Sequence, residues 1–369
     1  MDSSYKLLSF ELLINLNKLN MNSKTPCWHR FVPLVLTIAA LSFFSSCQKG
    51  EAVSPDTPTT VNSTTAIAPK TMAFVSTASA AVRTYEALGV VSLSGASNRT
   101  INAKSIGGFS AALLTLSNCH DITISNCKFY NSANAGIYLY NCYNITITGN
   151  YFTNVSTGVN AVQCPAGGIV VSSNQFLNMQ GPFPGGQFVQ FNNVNGPNNK
   201  INSNIGENIL GHSNPEDAIS LYESNGTAAS PITINGNAIR GGGPSASGGG
   251  IMLGDSGGSY LVADGNILVN PGQYGMAISG GSHNSITNNL IYGVSQSFTN
   301  IGLYVETIGS SPITNSTVSG NRVNFYNSTG AHNGAWMASG IATPSGWSSN
   351  NWSADIDSSI LPATLITYH

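Results

Sequence analysis

The sequence has unusually little charge. Asp, Glu, Lys and Arg make up 8% of its 369 residues, against about 25% in ordinary soluble proteins. The formal net charge is -2, so the chain has no basic field that would attract nucleic acid. Its surface must be solvated by neutral polar side chains, and Asn, Ser and Thr are plentiful. The chain also contains 40 glycines. This composition favours an extracellular, β-rich repeat protein and argues against a nucleic-acid partner.

Long apolar runs are also missing. The main one, Phe31–Phe44, has 14 residues, which is too short to span a bilayer and typical of the apolar part of an export signal. It ends in "SFFSSC", which resembles a bacterial lipobox whose cysteine becomes lipidated. We therefore predict a signal over residues 1–47 with lipidation at Cys47, and residues 1–20 as a possible mis-assigned start. A plain secretory signal or a membrane anchor are the alternatives.

The remaining chain divides by composition. Residues 48–84 are polar, rich in Pro and Thr and without periodicity, so they are predicted to be a flexible tether. Residues 85–340 contain repeats, and residues 341–369 break the repeat and are predicted to form a C-terminal cap. The predicted location is the bacterial outer membrane or cell surface, or the periplasm, with a lipid as the only membrane contact.

A short motif recurs along the predicted body. Pairs such as "GN" or "SN", followed by any residue and a large apolar one, occur at intervals of 23 residues or somewhat more. The motif asparagines are Asn150, Asn174, Asn208, Asn237, Asn266, Asn289 and Asn321, and related segments occur at Lys104 and Cys127. Self-similarity at such a period is the mark of a solenoid.

Each repeat also contains short stretches that alternate between apolar and polar residues, such as "GIYLYN" and "ITITG". Alternation of this kind indicates strands, and no long segment has helical spacing. The pattern resembles the right-handed parallel β-helix, the pectate-lyase-like architecture. The resemblance implies an all-β fold of about nine to ten coils, and it implies no single chemistry because this fold serves lyases, hydrolases and non-enzymes.

The alternation predicts which side chains enter the core. Inward positions are Ile137, Leu139, Ile219, Leu221, Ile251, Leu253, Met276 and Ile278. The aligned asparagines should adopt the left-handed conformation at tight turns and form an amide ladder. Cys119, Cys142 and Cys164 share one register, which favours a stack of buried thiols, although export leaves a disulfide possible.

The same rule predicts an outward, sugar-binding face. Its residues are Tyr138, Tyr140, Gln190, Asn192, Tyr222, Tyr304 and Glu306, with Ser220 also outward. Tyrosine rings interleaved with neutral polar groups suit a polysaccharide, because sugar rings stack on aromatic faces and hydroxyls pair with amides. Ordinary cross-strand packing of the tyrosines is the alternative.

Acidic residues are concentrated where insertions lengthen the repeat. Glu207, Glu216, Asp217, Glu223 and Asp255 lie within one stretch of about fifty residues. The segment "PEDAISLYES" resembles the acidic segment of polygalacturonase-type glycosidases, which implies Glu216 and Asp217 as catalytic carboxylates. Other motifs of those enzymes are missing, and neighbouring residues in an extended strand point to opposite faces.

A lyase would use the same stretch differently. Glu223 and Asp255 could bind Ca²⁺ together with loop carbonyls, and Arg240, His212 or Lys200 could act on the sugar. We therefore predict a monomer that binds and cleaves a polysaccharide, by lyase or hydrolase chemistry. The alternative is a surface protein of the same fold that binds glycans without cleaving them.

Overall fold

The computed structural model of the protein describes residues 83–366. The predicted signal, the lipidation site at Cys47 and nearly all of the predicted tether lie outside the described residues. Within residues 83–366, no helix is both long and apolar enough to cross a membrane.

The described chain repeats a unit of three short strands. In chain order the strands are β1 (Glu86–Ala87), β2 (Val91–Ser94), β3 (Ser97–Asn102), β4 (Lys104–Phe109), β5 (Leu114–Ser117), β6 (His120–Ser125), β7 (Lys128–Ser132), β8 (Ile137–Tyr140), β9 (Tyr143–Thr148), β10 (Tyr151–Val155), β11 (Val159–Cys164), β12 (Ile169–Ser172), β13 (Gln175–Leu177), β14 (Val189–Val194) and β15 (Lys200–Asn202). They continue with β16 (Ile205–Glu207), β17 (Ile219–Asn225), β18 (Ile232–Asn235), β19 (Ala238–Arg240), β20 (Ile251–Ser259), β21 (Leu261–Asp264), β22 (Ile267–Val269), β23 (Tyr274–Ile278), β24 (Ser285–Thr287), β25 (Leu290–Gly293), β26 (Ile301–Val305), β27 (Thr317–Ser319), β28 (Arg322–Phe325) and β29 (Ala335–Met337). Two 3₁₀ turns, Trp347–Ser349 and Ser358–Ile360, follow.

Every third strand joins the same parallel sheet. Sheet A contains ten strands from β1 to β28, sheet B ten from β2 to β29, and sheet C nine from β3 to β27. One turn of the chain therefore adds one strand to each of three sheets. Within each sheet, the strands of successive coils stack along a common axis. The predicted all-β solenoid of nine to ten coils is confirmed.

Equivalent side chains form continuous columns because the coils stack in register. In sheet B, for example, Ile219 pairs with Val189 of the coil before and Ile251 of the coil after. The predicted inward positions are confirmed, since at most 2% of the residue surface is exposed at Ile137, Leu139, Ile219, Leu221, Ile251, Leu253, Met276 and Ile278. Burial of each such side chain favours folding by about 1.5–3 kcal/mol.

A buried amide ladder runs along the corner between sheets C and A. The side-chain N–H of Asn150 donates to Oδ1 of Asn174 at 3.0 Å, and that of Asn174 donates to Asn204 at 3.1 Å. The ladder continues through Asn237, Asn266, Asn289, Asn321 and Asn350. The predicted ladder is confirmed.

Two details of that prediction were wrong. Asn204, not Asn208, is the ladder residue of its coil, because Asn208 lies at the other end of sheet A, where its Oδ1 accepts from the backbone of Met179 at 2.9 Å. The left-handed conformation belongs to the residue before each asparagine, such as Gly149 (φ 64°) and Ser173 (φ 57°). That preceding residue makes the corner, which leaves the asparagine free to point into the core.

The cysteines form a column of buried thiols. Cys119, Cys142 and Cys164 are each fully buried and unbridged. The backbone N–H of Cys142 points to Sγ of Cys164 at 3.4 Å, and burial raises the pKa of the Cys142 thiol to about 11. The favoured interpretation, a stack of small buried thiols, agrees with this arrangement.

The C-terminal segment lies along the outside of sheet A. Leu361 and Leu365 pack on the outer apolar side chains of that sheet, including Ile267 and Val269. The guanidinium of Arg240 donates to the backbone carbonyls at positions 362 and 363, at 2.6 and 3.2 Å. The segment therefore covers an apolar strip that would otherwise face solvent.

Candidate active site on the outer face of sheet B

The outer face of sheet B has the composition that the alternation predicts. The seven residues predicted to face outward are all half-buried or exposed: Tyr138, Tyr140, Gln190, Asn192, Tyr222, Tyr304 and Glu306. The residue before each of them in the chain is buried in the core. The alternation of inward and outward positions agrees with the structure, and sugar binding by these residues stays a prediction.

The face differs between its two ends. The column that contains Tyr138 continues through Asn160 and Gln190 to Ser220, Met252 and Ala277. The last three are at most 6% exposed although they point away from the core. Met252 and Ala277 pack with aromatic and apolar side chains of later coils. The early coils thus present an open polar surface, and the later coils a closely packed floor.

Asp217 lies at the edge of this floor, two residues before the inward Ile219. Its side chain is almost entirely buried, with 7% of the residue exposed. Oδ1 accepts a hydrogen bond from the backbone N–H of Gly249 at 2.9 Å and another from the hydroxyl of Tyr274. Burial raises the pKa of Asp217 to about 7, although both hydrogen bonds favour the charged form. The carboxyl is therefore poised to exchange a proton near neutral pH.

Gly249 makes the contact between Asp217 and Tyr274 possible. A Cβ atom at Gly249 would lie 2.6 Å from the Tyr274 ring, a distance that no carbon pair tolerates. Because Gly249 has no side chain, the ring of Tyr274 passes over the backbone of Gly249. The Tyr274 hydroxyl thereby reaches the carboxyl of Asp217 in the coil before that of Gly249. Any larger residue at position 249 would displace the ring.

A bulge brings a second carboxylate to the same face. Leu221 pairs with Leu253, but Tyr222 pairs with Asp255, so Gly254 is the extra residue. Bulges re-aim side chains and are common beside active sites. Burial raises the pKa of Asp255, and the neighbouring charge of Glu223 raises it further. The structure thus brings Glu223 and Asp255 together.

Tyr304 connects the two acidic positions electrostatically. Its ring meets that of Tyr274 edge to face, with centroids 5.1 Å apart. Burial raises the pKa of Tyr304, and the carboxylates of Asp217 and Asp255 act in the same direction. Both carboxyl groups therefore lie within interaction range of one phenol.

Glu216 points away from Asp217, toward the loop of the next coil. Its two carboxylate oxygens accept hydrogen bonds from the hydroxyls of Ser245 and Ser247. The backbone of Glu216 is in close contact with Gly248, where an added Cβ would lie 2.6 Å from its carbonyl carbon. Glu216 fastens this loop beside the buried Asp217.

The comparisons with known proteins agree with this architecture. Residues 89–245 match the family model described as the right handed beta helix region. The protein is a right-handed parallel β-helix. No curated protein matches its sequence at a significant level.

Among solved structures, the β-helix is similar to mutant tailspike proteins of E. coli bacteriophage HK620 in complex with a pentasaccharide. Two of them are 13% identical to it, with TM-scores of 0.35 and 0.34, over 68% and 69% of this chain. The chain covers 58% and 60% of their lengths, which is less than two thirds. At this identity the likeness concerns the fold alone.

Three residues predicted to act on the sugar lie elsewhere on the β-helix. Arg240 is on sheet A, where it contacts Glu207 at 3.4 Å as well as the C-terminal segment. Lys200 is on sheet C. His212 is exposed on the loop between β16 and β17, and its backbone carbonyl accepts from Gln180 at 2.9 Å. The structure does not bring these cationic residues to Asp217.

Sequence reasoning missed Tyr274 and Gly249. Asp217, Gly249 and Tyr274 each lie two residues before an inward strand residue. These strand residues are Ile219, Ile251 and Met276, respectively. An alignment of the coils at these strand residues would have placed all three positions in one column. The signal was available, but it lies just outside the alternating stretches.

Two of the acidic residues predicted to bind calcium lie on neighbouring strands. Glu223 and Asp255 are neighbours, and their mutual repulsion would be relieved by a cation. However, no group of three or more His, Cys, Asp or Glu residues within residues 83–366 converges as a metal site. Calcium binding therefore stays a prediction that needs backbone carbonyls as further ligands.

Proposed function

We propose that this β-helix is a glycoside hydrolase that binds a polysaccharide along the outer face of sheet B. The observation that carries the proposal is the buried carboxyl of Asp217, whose pKa lies at about 7. A second acid, Asp255, lies on the same outer face of sheet B. Paired carboxyl groups with different environments are the usual means of glycoside hydrolysis.

The two acids take different roles in this mechanism. Asp217, in its protonated form, donates its proton to the glycosidic oxygen as the bond from that oxygen to the anomeric carbon breaks. Asp255 assists water, whose oxygen bonds to the anomeric carbon and whose proton passes to a carboxylate. Tyr274 holds Asp217 in place, and Glu216 holds the adjoining loop.

The distribution of positive charge favours hydrolysis over lyase chemistry. A lyase must neutralise the carboxylate of a uronic acid, and it needs a base for the proton beside it. Arg240, Lys200 and His212 are the basic residues predicted for these roles, and each is directed elsewhere. A neutral glycan is the better match for a face of tyrosines, amides and hydroxyls.

Glycan binding without cleavage is the second candidate function. It is favoured by the open end of the face, where Tyr138, Tyr140, Gln190 and Asn192 are half-buried or exposed in the coils before the one that carries Asp217. Export and lipidation at Cys47, which we also propose, would present that surface to glycans at the cell envelope. Such a binder would not require the buried acid.

Product analysis separates these functions. The purified protein and its Asp217→Asn and Asp255→Asn variants are incubated with neutral and uronic-acid polysaccharides, with and without Ca²⁺. We expect new reducing ends from a neutral glycan, lost in both variants and retained in an Asp264→Asn control on sheet C. Unsaturated products that absorb in the ultraviolet would instead demonstrate a lyase. Retention of a glycan in affinity electrophoresis without any product would leave binding as the function.

A further inference from the structure

A row of polar side chains follows the corner between sheets B and C. In five successive coils this corner is made by one residue in the left-handed conformation: Asn118 (φ 53°), Asn141 (φ 51°), Gln163 (φ 50°), Asn193 (φ 57°) and Glu223 (φ 46°). We call these five residues the corner row. Four are exposed and Asn193 is half-buried, so the row presents four neutral amides and then a carboxylate to solvent.

Two members of the corner row are unexpected at their backbone conformation. Asparagine and glycine adopt positive φ readily, whereas Gln163 and Glu223 do so at a cost. Other corners of the β-helix also have left-handed residues that are neither glycine nor asparagine, such as Ser173 and Tyr260. Gln163 and Glu223 are both exposed, so their long polar side chains are available to a ligand.

A cavity of about 410 Å³ opens at the middle of the corner row. It is lined by Tyr140, Asn141, Gln163, Pro165 and Asn193, and its size lies within the usual range for small-molecule sites. No charged side chain lines it, and the exposed ring of Tyr140 borders it. One aromatic face with several amides suits a neutral sugar residue.

The side-chain amides of the corner row differ in their hydrogen-bond partners. The side chain of Asn141 donates to Asn118 at 2.7 Å, and Oδ1 of Asn193 accepts from Asn195. Within residues 83–366, the side-chain amide of Gln163 has no hydrogen-bond partner. Gln163 thus offers both a donor and an acceptor to a ligand in the cavity.

The row also leads to Asp255, the second of the two proposed catalytic acids. Glu223, its last member, is the residue after Tyr222, which pairs with Asp255. Four coil-to-coil steps separate Asn118 from Glu223, which corresponds to roughly 19 Å at the usual strand spacing. That length accommodates an extended oligosaccharide of several residues, with one polar side chain per coil.

We propose that the corner row binds a neutral glycan chain along the axis of the β-helix and directs it to the edge of sheet B that carries Asp255. This inference rests on the proposed function, and it adds the chemical class of the chain, its direction and a binding segment remote from the cleaved bond. It assigns Gln163 as a residue that selects for long substrates.

The test uses Gln163→Gly, since glycine accepts the left-handed conformation while the side chain and its amide are removed. Ser173→Gly is the control, because it makes the same change at a left-handed corner (φ 57°) between sheets C and A. Both are made in the Asp217→Asn background to prevent turnover. The probes are dextran, xylan and galactan, and size-graded fragments of whichever is retained, measured by calorimetry alongside thermal unfolding.

We expect Gln163→Gly to bind long fragments about tenfold more weakly, the effect of losing one or two hydrogen bonds. Binding of the shortest fragments and the melting temperature should not fall. Equal affinity of the two glycine variants for long fragments would overturn the corner row while leaving glycan cleavage intact. Failure of the wild-type protein to retain or cleave any glycan would count against the proposed function and this inference together.

Discussion

The buried acid at the candidate site predicts an unusual dependence of stability on pH. Asp217→Asn removes the ionisable group but keeps the Oδ1 acceptor that Gly249 and Tyr274 require. The wild-type protein should become less stable as the pH rises from about 4 to about 7, and the Asn variant should lose that part of the decline. Above pH 7 the difference between them should become constant.

The sign and the size follow from the shift. The pKa of Asp217 is raised from 3.8 to about 7 on folding. Between these values the folded protein retains a proton that the unfolded chain has released, so the unfolded chain binds fewer protons and stability falls with rising pH. A shift of about three units at about 1.4 kcal/mol each corresponds to at most about 4 kcal/mol. Below pH 4 both states are protonated, and the group contributes nothing.

Urea unfolding of both proteins at a series of pH values provides the measurement. Asp357→Asn serves as the control, because hydrogen bonds from Ser359 lower the pKa of that exposed carboxyl and its removal should leave the wild-type decline between pH 4 and 7. If wild type and Asp217→Asn have the same pH dependence over this window, Asp217 is not a buried acid with a raised pKa. The proposed acid role would then have no physical basis.

Three further substitutions test other parts of the structure. Gly249→Ala should abolish cleavage because the new Cβ would displace the ring of Tyr274; the products and the near-UV circular dichroism would report this, and normal activity would contradict the contact. Asn237→Ala should lower the free energy of unfolding in urea by about 1–3 kcal/mol, since it leaves the buried backbone N–H of Asn204 without its acceptor. Asn160→Ala is the control, because the Oδ1 atom of Asn160 has no partner among the described residues. Arg240→Met should expose the C-terminal segment to proteases yet retain activity, and loss of cleavage would return Arg240 to the catalytic candidates.

The fold could be predicted because its rules are local and repeated. Alternation at Ile219 and Leu221 fixed the inward face of a strand, and the same alternation in each coil fixed a whole sheet. Errors arose where the sequence offered two similar choices. Asn204 and Asn208 are both followed directly by Ile, and only the three-dimensional corner distinguishes them.

The candidate site was harder to predict because proximity in the sequence differs from proximity on a β-helix. Arg240 is near Asp217 along the chain, but three strands per coil direct the two residues to different sheets. Tyr274 is 57 residues from Asp217, yet it lies two coils away at the same offset. The bulge that turns Asp255 outward also depends on pairing, which the sequence alone does not specify.

These differences indicate where function should be sought in such a chain. A repeat makes each position resemble its counterparts in other coils, so a residue that departs from its column has a cause other than the fold. In this molecule the departures coincide in space: a carboxyl, a glycine and a tyrosine in one column, a bulge at Gly254, and strained corners at Gln163 and Glu223. Each costs stability or interrupts the repeat, and all of them border the outer face of sheet B. Their convergence on one face is the strongest physical reason to place the chemistry there.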